Sequence, residues 1–325
     1  MIERERAGWI YLTMCRIRAF ELKTVNLFEN NKLRGSVHLY LGQEAIASTV
    51  CSRLTREDYI ASTHRGHGHC IAKGASLDKC MAELMGKETG YCRGRSGSMH
   101  IADFSSGNLG ANAIVAGGVP IVTGAALALK MQKKPHIAVS FFGDGATNEG
   151  VFHETLNMAS LWKLPIVYVC ENNGFGISVP VWQSTSVKDI SVRGAAYDMP
   201  GVTVDGNDVE AVDEAFEKAR ERALAGEGPT LIECKTYRWL GHWTGDPQPY
   251  RTREEIDYWK RERDPIMLYG QKLIAQGQFT REELDAMYAQ AEAEAEAAAE
   301  FAMNSPDPDP AHVLDDVFYE EVSGR

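Results

Sequence analysis

A chain of 325 residues, 44% of them hydrophobic, is long enough to bury a large core and too long for a small module, so one large domain or two modest ones are expected. Its 34 Lys and Arg against 45 Asp and Glu leave a net charge of −11, which repels phosphate backbones and anionic lipid and argues against a nucleic-acid or membrane partner. Seven cysteines, odd in number and without a CxxC pair, argue against a disulfide framework.

The N-terminal sequence, Met1 to Trp9, lacks the apolar core of a secretory signal, and residues 5–30 carry Ile10, Met14, Ile17, Phe20 and Leu27 at helical spacing before Gly35. Residues 42–55 and 75–86 also read as helices, whereas 62–69 and 90–112 are dense in Gly, Ser, His and Arg and read as ordered loops bearing polar chemistry. The longest apolar run, Ile114 to Leu129, is interrupted by Gly117, Gly118, Pro120 and Thr123, too broken to span a bilayer, so a soluble, cytoplasmic protein is expected. His136 to Phe142 is a continuous apolar run, followed by Gly143-Asp144-Gly145, a helical pattern over 147–162 and a second apolar run, Leu164 to Cys170: a βαβ unit. A further strand, helix and strand at 202–204, 208–225 and 230–235 complete an α/β, doubly wound parallel sheet flanked by helices. Residues 254–262 and 280–302 are helical, and the prolines at 306, 308 and 310 end the last helix. The expected organisation is an N-terminal helical arm (1–35), an α/β domain (36–270) and a C-terminal helical extension and tail (271–325).

Gly143-Asp144-Gly145 and Glu171-Asn172-Asn173 stand at the carboxyl ends of successive strands, with 26 residues between Gly145 and Asn172. Both tips lie on the sheet edge where open α/β folds bind ligands, so a carboxylate at 144 and an amide at 173 can converge on one hard cation such as Mg²⁺. A lone Gly-Asp-Gly is as often a plain strand-to-helix turn, but the paired asparagines at the next strand end favour a site. There is no GxxxxGK[ST], and the third glycine of a dinucleotide fingerprint is replaced by Asn148.

The pair resembles the thiamin diphosphate motif, and four further blocks extend the likeness: Gly35 to Ala45, Ser62 to Gly68, Arg95 to His100 and Thr236 to Pro247. Together they resemble the α subunit of heterotetrameric 2-oxo acid dehydrogenases over about residues 10–270. The resemblance implies a thiamin diphosphate-binding fold in which Asp144, Asn173 and the main-chain carbonyl of Phe175 hold Mg²⁺. It implies that Gly145 and Ala146 line the diphosphate, that Arg65 and Arg238 bind it, and that Ala113 and Val115 cradle the aminopyrimidine.

Nine histidines invite other readings, and His64, His67 and His69 are spaced so that imidazoles could share zinc, although no cysteine or acidic ligand sits beside them. By resemblance, His64 replaces a tyrosine next to the phosphate-binding arginine and His67 points toward the cofactor pocket. His38 and His242 match positions that line the active-site channel, where an imidazole can take and give a proton. The resemblance implies a β subunit, in a tetramer of two α and two β chains, that supplies the activating glutamate, and a lipoyl-bearing acyltransferase that accepts the product. Blocks such as Met81 to Cys92 and Phe141 to Glu154 look closer to acetoin dehydrogenase α subunits, with pyruvate or another 2-oxo acid as the alternative substrate. A cofactor-binding or regulatory subunit without turnover, or a split transketolase-like enzyme, are the readings of other kinds. The segment from Tyr237 to Arg253, interrupted by Gly241, Gly245, Pro247 and Pro249, is expected to be mobile without ligand.

Overall fold

A computed structural model describes residues 1–33 and 35–315; residues 316–325 of the expected tail lie outside the described residues. Six strands, β1 (Tyr59–Thr63), β2 (Asn108–Asn112), β3 (Ala138–Gly143), β4 (Ile166–Asn172), β7 (Gly201–Asp205) and β8 (Thr230–Lys235), form one parallel sheet. Between β4 and β7 the short strands β5 (Phe175–Gly176) and β6 (Val179–Pro180) make an antiparallel hairpin. The order across the sheet is β2-β1-β3-β4-β8-β7. β3 and β4 are buried along almost their whole length, which is why both appear in the sequence as unbroken apolar runs instead of alternating ones. Apolar clusters cover both faces. One joins Phe141, Val167, Val169 and Ile232 to residues of the N-terminal half, and the other gathers Val122, Phe142, Phe152, Tyr168 and Leu231.

The long helices follow the sequence reading closely: α1 (Arg4–Glu29), α2 (Glu44–Cys51), α4 (Leu77–Leu84), α6 (Gly150–Leu161), α8 (Val209–Leu224), α9 (Arg253–Glu262) and α11 (Arg281–Asn304). α11 opens on a capping box between Thr280 and Glu283 and buries Ala291, Ala295, Ala298, Ala299 and Ala302, small side chains that let it pack closely against α1 and α4. Arg18 of α1 is buried and pairs with Glu44 and Asp264, fixing the arm to α2 and to α10 (Pro265–Ala275). Among the described residues no helix is long and apolar enough to cross a membrane.

Several elements depart from the sequence reading. α3 (His67–Ala72) begins inside the segment read as a loop; six residues are too few to show a period, and Gly68 is there because a Cβ would lie 2.2 Å from the Tyr40 ring. α5 (Gly118–Met131) fills the run that was read as interrupted, because Pro120 sits in its first turn, where no intrahelical N–H is needed. Thr123 turns its hydroxyl inward to Val119 and Tyr168. β1 and the edge strand β2, with sequence Asn-Leu-Gly-Ala-Asn, carry no apolar run that would mark them. A four-residue helix, α7 (Val181–Ser184), follows the hairpin.

Candidate active site

β1 lies between β2 and β3, so the chain leaves β1 toward one edge of the sheet and then resumes on its other side. The strand order therefore reverses at β1 and β3, and a pocket opens at their carboxyl ends. Gly143 pairs with Glu171 across β3 and β4, which brings Asp144 beside the Asn172-Asn173 turn. Asp144 is buried, and its Oδ2 has no hydrogen-bond partner. Burial raises its carboxyl to about 6. Asn173 is held from two sides: its Nδ2 donates to Gln43 Oε1 at 3.2 Å, and its Oδ1 accepts from the Phe175 N–H at 3.4 Å. Gly145, Ala146 and Phe175 complete this wall.

The opposite wall is cationic. Arg65 donates to the carbonyls of Leu39 and His242, and Arg238 to the carbonyls of Leu240 and Ile177 and to the Tyr250 hydroxyl. Both guanidiniums are buried and neither meets a carboxylate through these bonds. Burial, and then the nearby Arg238, lower Arg65 to about 9, so it remains charged at neutral pH. Two buried cations without a direct ion pair among the described residues, with Glu21, Glu171 and Asp246 acting on them only from a distance, favour an arriving anion. Beside them His38, His64 and His242 bring their ring nitrogens within 4.8 Å of one another, with Nδ1 of His38 and of His242 unpartnered. The grouping is compact enough for a metal, but its two guanidinium neighbours favour a negative ligand.

His64, Arg65, Val115, Asp144, Gly145, Ala146, Asn173, Phe175, Arg238 and His242 all line one pocket, and His38 stacks edge-on against His64 and His242. Other residues of the sequence reading stand elsewhere. His67 does not face the pocket: it opens α3 buried against α1, its Nδ1 3.1 Å from the Glu21 carboxylate and its Nε2 2.9 Å from Ser98 Oγ. Nor do His64, His67 and His69 converge on a metal, since His69 is bound to Ser62 and Glu171 in the sheet layer. Ala113 is not a lining residue; the Asn112 side chain accepts the Ile114 N–H, and this turn sets Asn112 and Ile114 against the pocket instead. The segment from Tyr237 to Arg253, read as lacking a continuous apolar face, has a polar framework of its own. Asp246 accepts from the His242 and Gln248 N–H groups and the Tyr250 hydroxyl, while buried Arg251 donates to the carbonyls of Arg238 and Trp239. Gln43, Glu171, Asp246 and Tyr250 were not assigned roles in the site, although the first three stood inside noted blocks and Tyr250 lay just beyond one.

The histidine trio makes a pH dependence computable in sign. Burial first, and the positive charge of Arg65 second, lower His38 to about 3, His64 to about 2 and His242 to about 4. Arg238 adds to this for all three, His67 adds to it for His38, and Asp246 opposes it for His242. The unfolded chain takes up protons at these rings near pH 6.5, whereas the folded chain does not until well below it. The stability contributed by the neutral trio is therefore complete above about 6.5 and lost as pH falls toward 4. Thermal midpoints of the cofactor-free protein between pH 7 and 5 should fall less steeply for His64→Gln than for wild type; parallel curves would show that His64 is not held neutral.

Fold and pocket together define an α/β protein with an anion-accepting site at the strand-order reversal of a doubly wound sheet. The dehydrogenase E1 component family model matches residues 12–311, and the chain belongs to that family of thiamin diphosphate-dependent oxidoreductases. It is 47% identical to the α subunit of acetoin:2,6-dichlorophenolindophenol oxidoreductase of Bacillus subtilis over 99% of this chain and 96% of that one. Its identity to the Cupriavidus necator subunit of the same name is 43%, over 98% and 95%. The chloroplastic α-3 subunit of the pyruvate dehydrogenase E1 component of Oryza sativa is 42% identical, over 98% of this chain and 76% of that one. The resemblance read from five blocks and the doubly wound fold are thus both borne out. The residues also fit the family's cofactor: a diphosphate would answer the two uncompensated guanidiniums, and Oδ2 of Asp144 is a buried acceptor in want of a partner.

Proposed function

We propose that this chain is the α subunit of a cytoplasmic acetoin dehydrogenase, assembled as two α and two β chains. The enzyme cleaves acetoin with thiamin diphosphate and Mg²⁺, releases acetaldehyde and passes the acetyl group to a lipoyl-bearing acyltransferase as the lipoyl disulfide is reduced. What carries the substrate assignment is 47% identity, over nearly the full length of both chains, to a subunit named for acetoin, against 42% to one named for pyruvate dehydrogenase. In this reading the Asp144 carboxylate, the Asn173 amide oxygen and the Phe175 carbonyl hold Mg²⁺, an oxygen set suited to a hard cation. Arg65 and Arg238 would meet the diphosphate with His64 and His242, and Gly145 and Ala146 would leave it room at the turn after β3. Val115, which lines the pocket and is half exposed, would flank the aminopyrimidine. Thiamin diphosphate supplies a nucleophilic carbon and an electron sink for the breaking C–C bond. His38 and His242 have an unpartnered Nδ1 each to offer the reacting oxygen, and a diphosphate neutralising Arg65 would lift their depressed pKa toward the range in which an imidazole takes and returns a proton.

Steady-state kinetics of the reconstituted α and β chains with a lipoyl acceptor test the assignment. The expected kcat/KM for acetoin exceeds that for pyruvate by at least about tenfold, or about 1.4 kcal/mol of transition-state binding. A larger value for pyruvate would make this chain a pyruvate dehydrogenase α subunit.

A further inference from the structure

Gln43 is fully buried in the turn between Tyr40 and α2, and it lines the pocket. The turn leaves it little freedom. Gly42 has φ +94°, and a Cβ there would lie 2.4 Å from the Trp239 ring, while the Glu44 carboxylate is locked between Arg18 and the Gly42 N–H. The Gln43 amide is hydrogen-bonded at one end only. Its Oε1 accepts from Asn173 Nδ2 at 3.2 Å, and its Nε2 is buried without a partner.

The asymmetry matters because an asparagine amide has two ends of opposite use to a cation. Oxygen can ligate and the NH₂ group cannot, and the two ends are nearly the same size. Without a fixed acceptor for its nitrogen, the Asn173 amide could turn either end to the pocket. Gln43 Oε1 is that acceptor, and the Phe175 N–H on the Oδ1 side agrees with the same orientation. With Oε1 so engaged, the Gln43 NH₂ group has no recipient among the described residues and is left for an oxygen in the pocket.

We infer that Gln43 is a positioning residue: it holds the Asn173 amide with its oxygen toward the cation and uses its own NH₂ group as a donor to an oxygen of the bound diphosphate. The inference rests on the cation site proposed above, and the variants separate the two. Isothermal titration of the assembled, cofactor-stripped α and β tetramer would give Mg²⁺ affinity at saturating thiamin diphosphate, and thiamin diphosphate affinity at saturating Mg²⁺. Gln43→Met, which keeps size and removes both functions, should weaken Mg²⁺ about 10- to 100-fold, the range found for groups that orient metal ligands. Because Gln43 acts through Asn173, the double variant Gln43→Met/Asn173→Ala should bind Mg²⁺ no more weakly than Asn173→Ala alone.

Gln43→Glu keeps an acceptor for Asn173 but loses the donor, so it should retain Mg²⁺ affinity and weaken thiamin diphosphate. The same change in the Asn173→Ala background measures the bare effect of the added charge. A merely structural role would lower thermal stability and both affinities together, and would multiply with Asn173→Ala. Unchanged Mg²⁺ affinity in Gln43→Met, or multiplicative effects, overturns the inference and leaves the site reading intact. Unchanged Mg²⁺ affinity in Asn173→Ala overturns the site reading and the inference with it. Should Gln43→Met fail to assemble, Gln43→Glu decides alone: a loss of Mg²⁺ affinity equal to that of Asn173→Ala is the overturning result.

Discussion

Asp144→Ala is expected to reduce thiamin diphosphate affinity by at least about 100-fold in the assembled enzyme and to remove its dependence on Mg²⁺. The carboxylate is the one charged ligand in the proposed set, and a divalent ion bound only by an amide and a main-chain oxygen gives up its hydration for too little in return. Loss of a mere orienting group already costs about 10- to 100-fold in metal affinity. The same substitution should not weaken the cofactor-free fold, because it removes a buried carboxylate oxygen that no donor satisfies. Calorimetric titration and thermal unfolding on the same preparation check both halves. Wild-type cofactor affinity in the variant would sink the assignment, whereas lost affinity with a lowered midpoint would point to damage of the fold.

The purified chain should show no turnover by itself, and addition of a β subunit should restore it. The pocket lacks a wall: Ile114, Val115 and Ile177 line it yet are 73%, 48% and 60% exposed, and exposed Trp182 stands near its rim. Water therefore has access to the reacting centre, which weakens every electrostatic contact there. Three carboxylates line the pocket, and none has the buried, uncommitted setting an activating group needs: Glu149 is exposed to solvent. Asp144 is assigned to the cation, and Glu171 is already engaged by Tyr40 and His69. Acetoin cleavage measured with each chain alone and with the pair decides the matter, and full activity of the lone chain would end the two-chain reading.

What the sequence made legible were the features with a strong local signature. The strands before Asp144 and Asn173 are apolar throughout because the sheet is covered on both sides, and the turns that follow them carry the ligand-type residues, so strand and site could be read together. Arg65, Arg238 and His242 were placed through block resemblance, and the fold brings them to one pocket. His67 was misplaced for an instructive reason: only Gly66 separates it from Arg65, but α3 begins there and the helical turn carries its ring away to Glu21. Gln43 and Tyr250 were illegible because what makes them part of the site is a partner 130 residues away for Gln43 and 12 away for Tyr250, and no pattern in the intervening chain records either contact. The meeting of His38, His64 and His242 belongs to the same class, since it depends on three loops closing on one another.

The uncompensated guanidiniums of Arg65 and Arg238 also bear on how long the protein lasts in a cell. A ligand that binds only the folded state stabilises it by RT ln(1 + [L]/Kd), about 2.7 kcal/mol at a hundredfold excess over Kd, and here that ligand also relieves a repulsion built into the fold. Proteolysis samples the unfolded fraction, so a difference of one or two kcal/mol can alter abundance several-fold. If these arginines bind the cofactor as proposed, its supply would set how much of this subunit survives as well as how much of it is active, and thiamin scarcity would thin the enzyme's numbers while it idles the molecules that remain.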